Sequence, residues 1–245
     1  MNAIRAVVGV PDPDEPTAHG DRQAVAYRRL RQAIVEGRYR PGDRLVEQRI
    51  CADLDLSRTP VREALRALDA DGLVVMTANR GAMVRPIDVD EIEDLYELRA
   101  RLESYAAHRA VGRVRPEHLA AMDEAITAID ACVDRASAGD VAALREVEEA
   151  NGRFHGAVLQ AAAHERLGVM LRRATDLPLV FQAFRHFDRE ALERSNLFHR
   201  LIRDAVAGDD PARAESLMTE HVYQGRDVLL ARLRDAGSVD ALFET

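Results

Sequence analysis

Two groups of residues in this 245-residue chain have the types and spacing for chemistry. The first is built on arginine. Arg58 and Arg62 stand one helical turn apart, on the face opposite Val61, Leu65 and Leu68. A guanidinium is a rigid fork that can meet guanine O6 and N7 with two hydrogen bonds, contributing about 1–3 kcal/mol of discrimination per good pair. Arg49, a little earlier, can reach the same groove or an adjacent phosphate. Ser57 and Thr59 supply hydroxyl donors for phosphates, and Arg80 stands beside Gly81, where a bare backbone can approach a partner closely. The second group is polar and inward-facing. Asn151 and His155 share one helix face, while His199 and His221 fall within the apolar stripes of two later helices. Buried polar groups need partners, so these four either converge on one centre or are satisfied separately by hydrogen bonds in the core. Three imidazoles suit zinc, nickel, iron or cobalt.

These residues need elements to position them. Val25, Leu30, Ala33 and Ile34 share one face of a helix over 22–37, stopped by Gly37. Pro41-Gly42 marks a turn, and a short helix over 46–54 presents Ile50, Cys51 and Leu54. Thr59 as N-cap with Pro60 at the first helical position then starts a helix whose buried face is Val61, Ala64, Leu65 and Leu68, ended by Asp71-Gly72. Strands are expected over 73–77 and 82–85 around a turn at 79–81. Three helices followed by a hairpin describe a winged helix-turn-helix. After Pro86 the pattern becomes long amphipathic helices. One opens at Asp88-x-x-Glu91, with Ile92, Leu95, Leu102 and Ala106 inward, and another at Pro116, with Leu119, Met122, Ile126, Ile129 and Val133 at helical spacing. A third follows Gly139-Asp140, shorter pieces cover 165–187 with a break near Pro178, and two final helices span 189–207 and 211–234. The expected fold is mainly α: a winged helix-turn-helix over 21–86, then an antiparallel all-α bundle of six or seven helices over 87–235. Tails are expected at 1–20 and 236–245.

Charge supports this division. The net charge is −8, which taken whole disfavours nucleic acid, yet all 34 basic side chains are arginine. Residues 21–87 carry 13 arginines against 9 acids, whereas residues 88–245 carry 20 against 30. The positive charge is concentrated where the arginine forks stand. Cys51 and Cys132 are the only cysteines and lie far apart, which excludes a disulfide framework or a CxxC metal site and fits a reducing, cytoplasmic setting. No apolar run is long enough for a signal peptide or a membrane span.

The run PGDRL, then SRTPVREAL, then DGLV and a wing glycine resembles the DNA-binding domain of the GntR family of bacterial transcription regulators. That resemblance implies that Arg49, Arg58 and Arg62 contact DNA, with Ser57, Thr59, Arg80 and Gly81 in support. It also implies a homodimer bound to a short inverted repeat in double-stranded DNA. Residues 88–230, through DLYELRARLE, NGRFHGAVLQAAA and FHRLIRDAVAGDDPARAESLMTEHV, resemble the FCD effector-binding domain of the FadR branch of that family. Many members of that branch hold a divalent metal on an Asp and three His and use it to bind a small organic acid. By position the ligands are Asn151, His155, His199 and His221, with zinc the favoured ion and nickel or another left open. Asn151 departs from the family's Asp: an amide oxygen ligates but brings no negative charge, so weaker metal binding is expected. Arg99, in the ELR element, is the candidate clamp for a carboxylate effector.

The expectation is a ligand-responsive DNA-binding regulator, a repressor released by its effector. Two alternatives stand beside it. A metal-dependent enzyme could use the open positions of a three-His centre, although no HExxH element or obvious general base accompanies the histidines. A DNA-binding dimer with a vestigial pocket would need neither metal nor ligand.

Overall fold

A computed structural model of the chain describes residues 18–77, 81–174 and 177–238. The N-terminal unit contains α1 (Ala18–Val35), β1 (Arg44–Leu45), α2 (Glu47–Leu54), α3 (Arg58–Ala70), β2 (Val74–Thr77) and β3 (Gly81–Val84). The predicted stripe of α3 is buried as expected, and Val61, Leu65 and Leu68 pack with Leu30, Ile34, Ile50 and Leu54 in one core. Asp55 closes α2 in the left-handed conformation (φ 51°), which Asp tolerates better than most residues, and so permits the sharp step into α3. Two hydroxyls pin this unit: Tyr27 donates to Asp71 at 2.6 Å and Tyr39 to Asp53 at 3.0 Å.

Three details differ from the sequence reading. The first helix begins at Ala18, inside the stretch expected to be a tail, of which residues 1–17 lie outside the described residues. The helix expected to start at Pro60 begins at Arg58 with Ser57 as N-cap, so Thr59 is not the cap. Proline is tolerated there because the first four helical N–H groups have no intrahelical acceptor to lose. The hairpin is the larger part of a three-stranded antiparallel sheet of order β1-β3-β2, in which Leu45 pairs with Ala82 and Thr77 with Gly81. β1 has only two residues, too few to show an alternating pattern.

The second unit is a bundle of seven described helices: α4 (Val89–Ala110), α5 (Pro116–Ser137), α6 (Val141–Ala162), α7 (Glu165–Ala174), α8 (Leu177–His186), α9 (Arg189–Ala207) and α10 (Pro211–Ala236). Four of them start on an aspartate whose carboxylate accepts from the first-turn backbone: Asp88 from Glu91, Asp140 from Ala142, Asp188 from Ala191 and Asp210 from Arg213. Such caps contribute about 0.5–2 kcal/mol each. The short pieces expected over 165–187 are α7 and α8, and Pro178 falls within the first turn of α8, where proline is tolerated. Helices α4, α5, α6, α9 and α10 pack on one another around Tyr96, Met122, Phe154, Leu192, Ile202 and Met218. None of the described helices is long and apolar enough to cross a membrane.

Candidate nucleic-acid interface and metal centre

The N-terminal half of α3 turns its apolar residues inward, which leaves Ser57, Arg58, Thr59 and Arg62 exposed together at the start of the helix. Arg49 joins them from α2, with 77% of its side chain exposed. Acidic neighbours on α2 hold two of the three arginines: Arg49 lies 3.6 Å from Asp53, and Arg62 lies 3.4 Å from Glu47. Exposed pairs of this kind contribute about 0–1 kcal/mol, so they orient the guanidinium groups and yield readily to a stronger anion or to a base edge. Local spacing gives no sign of the Glu47 contact, because its partner is on the next helix. Gly81 has φ +82°, a conformation glycine adopts without strain, and it is exposed at the start of β3. Arg80 lies outside the described residues.

Inside the bundle, α6, α9 and α10 each bring one histidine to the same place. His155, His199 and His221 offer nitrogens that all lie within 4.8 Å of one another. His155 Nε2 and His221 Nε2 are 3.2 Å apart. With Zn–N bonds of about 2.0–2.1 Å, two ligands of one tetrahedral ion sit about 3.4 Å apart, so this spacing already suits a shared metal. The other ring nitrogens explain the orientation. The Asn196 amide nitrogen donates to the Ile126 carbonyl (3.0 Å) and to Asp130 (2.7 Å), so its oxygen faces His199 Nδ1 as an acceptor at 3.2 Å. His199 Nδ1 therefore carries the proton, and Nε2, buried and without a hydrogen-bond partner, keeps its lone pair. Glu103 on α4 does the same for His155 by contacting Nδ1, and its other oxygen accepts from Arg99 Nε. Burial lowers the pKa of His199 and of His221 well below the ordinary histidine value, reinforced by the neighbouring histidines, so both are neutral imidazoles as metal ligation requires. Burial pushes the Glu103 carboxyl up, but Arg99 and His155 outweigh it and hold it well below the usual carboxylate range.

Asn151 is buried one turn before His155 on α6 and lines the adjoining cavity. Arg99, the candidate clamp, is only 7% accessible, lies 5.7 Å from the centre of the Tyr96 ring and lines that same cavity. Its Nε donates to Glu103, and the side chain lines the cavity beside it. Glu103 and Asn196 are the supporting residues that the sequence reading missed. Each had a signal: Glu103 is four residues after Arg99 on one helix, and Asn196 three before His199. The cavity has a volume of about 240 Å³ and is bounded by α4, α6, α7, α8 and α10.

Comparison with known proteins agrees with both halves. The family model for gntR bacterial regulatory proteins matches residues 22–84, and that for the FCD domain matches residues 94–224. The chain is similar to the Nta operon transcriptional regulator of Aminobacter aminovorans, 28% identical, with 81% of this chain and 90% of that one covered. It is also similar to a protein of Paenarthrobacter nicotinovorans described as a probable D-xylose utilization operon transcriptional repressor, 29% identical over 85% of this chain and 87% of that one. In fold it is similar to E. coli McbR/YncC, with a TM-score of 0.70 at 20% identity, covering 88% of this chain and 98% of that chain.

Proposed function

Because the chain belongs to the GntR family of bacterial regulatory proteins and carries an FCD domain, we propose that this transcriptional regulator is a homodimeric repressor released by an organic acid. Residues 21–86 form the DNA reader and residues 87–235 the sensor. In the reader, Arg58 and Arg62 meet base edges in the major groove from the start of α3, and Arg49 meets a base or a phosphate. Ser57 and Thr59 bind phosphate, and Arg80 with Gly81 brings the wing against the backbone. The observation that carries this reading is the joint exposure of Ser57, Arg58, Thr59 and Arg62 at the start of α3 while its apolar face, Val61, Ala64, Leu65 and Leu68, is buried.

The sensor holds a divalent ion, zinc by preference, on His155, His199 and His221, with the Asn151 oxygen as the fourth protein ligand. The unpartnered lone pair of buried His199 Nε2 supports that fit. A bound ion supplies positive charge and an open coordination position for a carboxylate. Arg99, whose Nε donates to Glu103, lines the cavity as the clamp for the effector carboxylate. Glu103, the carboxylate beside the histidines, is bound by Arg99 and His155 and holds its proton too weakly to act as a general base, which favours a sensor over a catalyst. Exposed Leu98 and Tyr105 on α4, with Val169 and Met170 on the adjacent α7, support pairing of two copies through the bundle.

Operator selection from a random duplex library tests the reader. The expected product is an inverted repeat, and Arg58→Ala should relax preference at one symmetric pair of positions by about 1–3 kcal/mol per contact. Thr59→Ala should weaken all duplexes alike. Unchanged base preference in the Arg58 variant would remove α3 from the reading role.

A further inference from the structure

We propose that the acid sensed in the bundle is a monocarboxylate with an apolar body, an aromatic or medium-chain aliphatic acid, and neither a short hydroxy acid nor a dicarboxylate; this rests on reading the bundle as a carboxylate sensor. The two ends of the cavity differ in chemistry. Its polar groups are clustered, because Glu103 contacts both Arg99 and His155 and Asn151 precedes His155 by one turn of α6. Apart from Glu148 and two glycines, the remaining wall is hydrocarbon from five helices: Ala106, Val158, Leu159, Leu171, Val180 and Met218. A carboxylate at the polar end has charge to meet. A hydroxyl or a second carboxylate further along the ligand would leave water for a surface whose only polar side-chain groups are Glu148 and the weak thioether acceptor of Met218.

Size points the same way. At about 30 Å³ per water in the liquid, the 240 Å³ cavity corresponds to roughly eight waters, and acetate or lactate would leave much of that space as water against hydrocarbon. An alkyl chain or a ring would displace it. The other ionisable residue on the wall, Glu148, is itself an acid, so the far end of a dicarboxylate would meet either hydrocarbon or a like charge.

Titration calorimetry of the full-length protein, with and without zinc, against acetate, butanoate, hexanoate, octanoate, phenylacetate, lactate and adipate tests the proposal. Affinity should rise about fourfold per methylene from acetate to hexanoate, which is the fold-change equivalent of about 0.8 kcal/mol per buried CH₂. Phenylacetate should bind more tightly than lactate. Adipate, equal in length to hexanoate but doubly charged, should bind at least about tenfold more weakly. Leu159→Asn, at a half-buried wall position, should retain acetate affinity and lose most of the gain from chain length; a thermal melt of the variant establishes that it folds. Should it not fold, the wild-type chain-length series still decides. Equal affinities from acetate to hexanoate, lactate at least as tight as hexanoate, or adipate equal to hexanoate would each overturn the proposal and leave the sensor reading standing. If no acid binds and none alters operator affinity, the sensor reading falls and the proposal with it.

Discussion

Asparagine at position 151 raises the question of how a neutral amide can serve where the family resemblance leads one to expect a carboxylate. The structure puts a carboxylate close by in a different role: Glu103 contacts His155 Nδ1, and Asn196 accepts from His199 Nδ1. Both fix the tautomer that presents Nε2, so charge and orientation come from behind the ligands. Two opposite effects on zinc affinity follow. Asn196→Ala should weaken zinc by about 10–100-fold, because His199 loses its orienting acceptor although no proposed ligand is removed. Asn151→Asp should tighten it, by adding negative charge to the ligand set. Competition with a chromophoric chelator measures both, and a zinc affinity unchanged by Asn196→Ala would count against a metal at these histidines. The four proposed ligands were legible because helical spacing places His155, His199 and His221 on apolar stripes. Their supporting residues are legible only once α4 lies against α6 and Asn196 is seen to reach Asp130, 66 residues away in sequence.

Most elements of the fold could be read from local signals: aspartate caps, prolines at Pro116 and Pro211, and stripes such as Val61, Ala64, Leu65 and Leu68. The departures arise where local signals are silent or ambiguous. Two-residue β1 has no periodicity and exists because β3 offers it a free edge, while Ser57 and Thr59 are equally good caps whose choice depends on how α2 ends at Asp55. The joints between elements make their own prediction. The hydroxyls of Tyr27 and Tyr39, which tie α1 and the following loop to Asp71 and Asp53, are pushed up to about 12 by burial first and then by those hydrogen-bonded carboxylates. Their ordinary value is 10, so the folded state holds these protons more tightly than the unfolded chain. The stabilisation is fully present below pH 10 and is lost as pH rises towards 12. At neutral pH, Tyr27→Phe with Tyr39→Phe should cost about 0.5–1.5 kcal/mol per lost hydrogen bond. The gap in melting temperature between that variant and the wild type should then close between pH 10 and 12. A gap that stays constant across that range would show that the two hydrogen bonds do not contribute.

The whole molecule separates its charges, with arginine in excess over the reader and acid in excess over the bundle, and α1 with the residue after it touches both. α1 packs Leu30, Ala33 and Ile34 into the reader core, while Val35, at its end, belongs to the core of the bundle. Gln182 of α8 donates to the Val35 carbonyl at 3.4 Å. From α6, Arg145 pairs with Glu36 at 2.6 Å and Glu148 lies 4.0 Å from Arg31. The same α6 carries Asn151 and His155 on its inner side, and Glu148 also lines the ligand cavity. A ligand that shifts α6 therefore acts on the root of the reader through adjacent residues of one rigid element, the physical connection that coupling between two sites requires. Coupling of this kind is typically about 1–3 kcal/mol, or 5–150-fold in operator affinity. Arg145→Ala should leave operator binding without ligand within about threefold of wild type, since exposed or half-exposed pairs contribute about 1 kcal/mol or less. It should leave acid binding to the bundle unchanged while reducing the ratio of operator affinities measured without and with the tightest acid of the series. Adding Glu36→Gln should reduce that ratio little further, because the two changes break one contact. A ratio equal to wild type in the Arg145 variant would mean that the signal passes through Val35 and α8, and Gln182→Ala would then be the variant that uncouples the two sites.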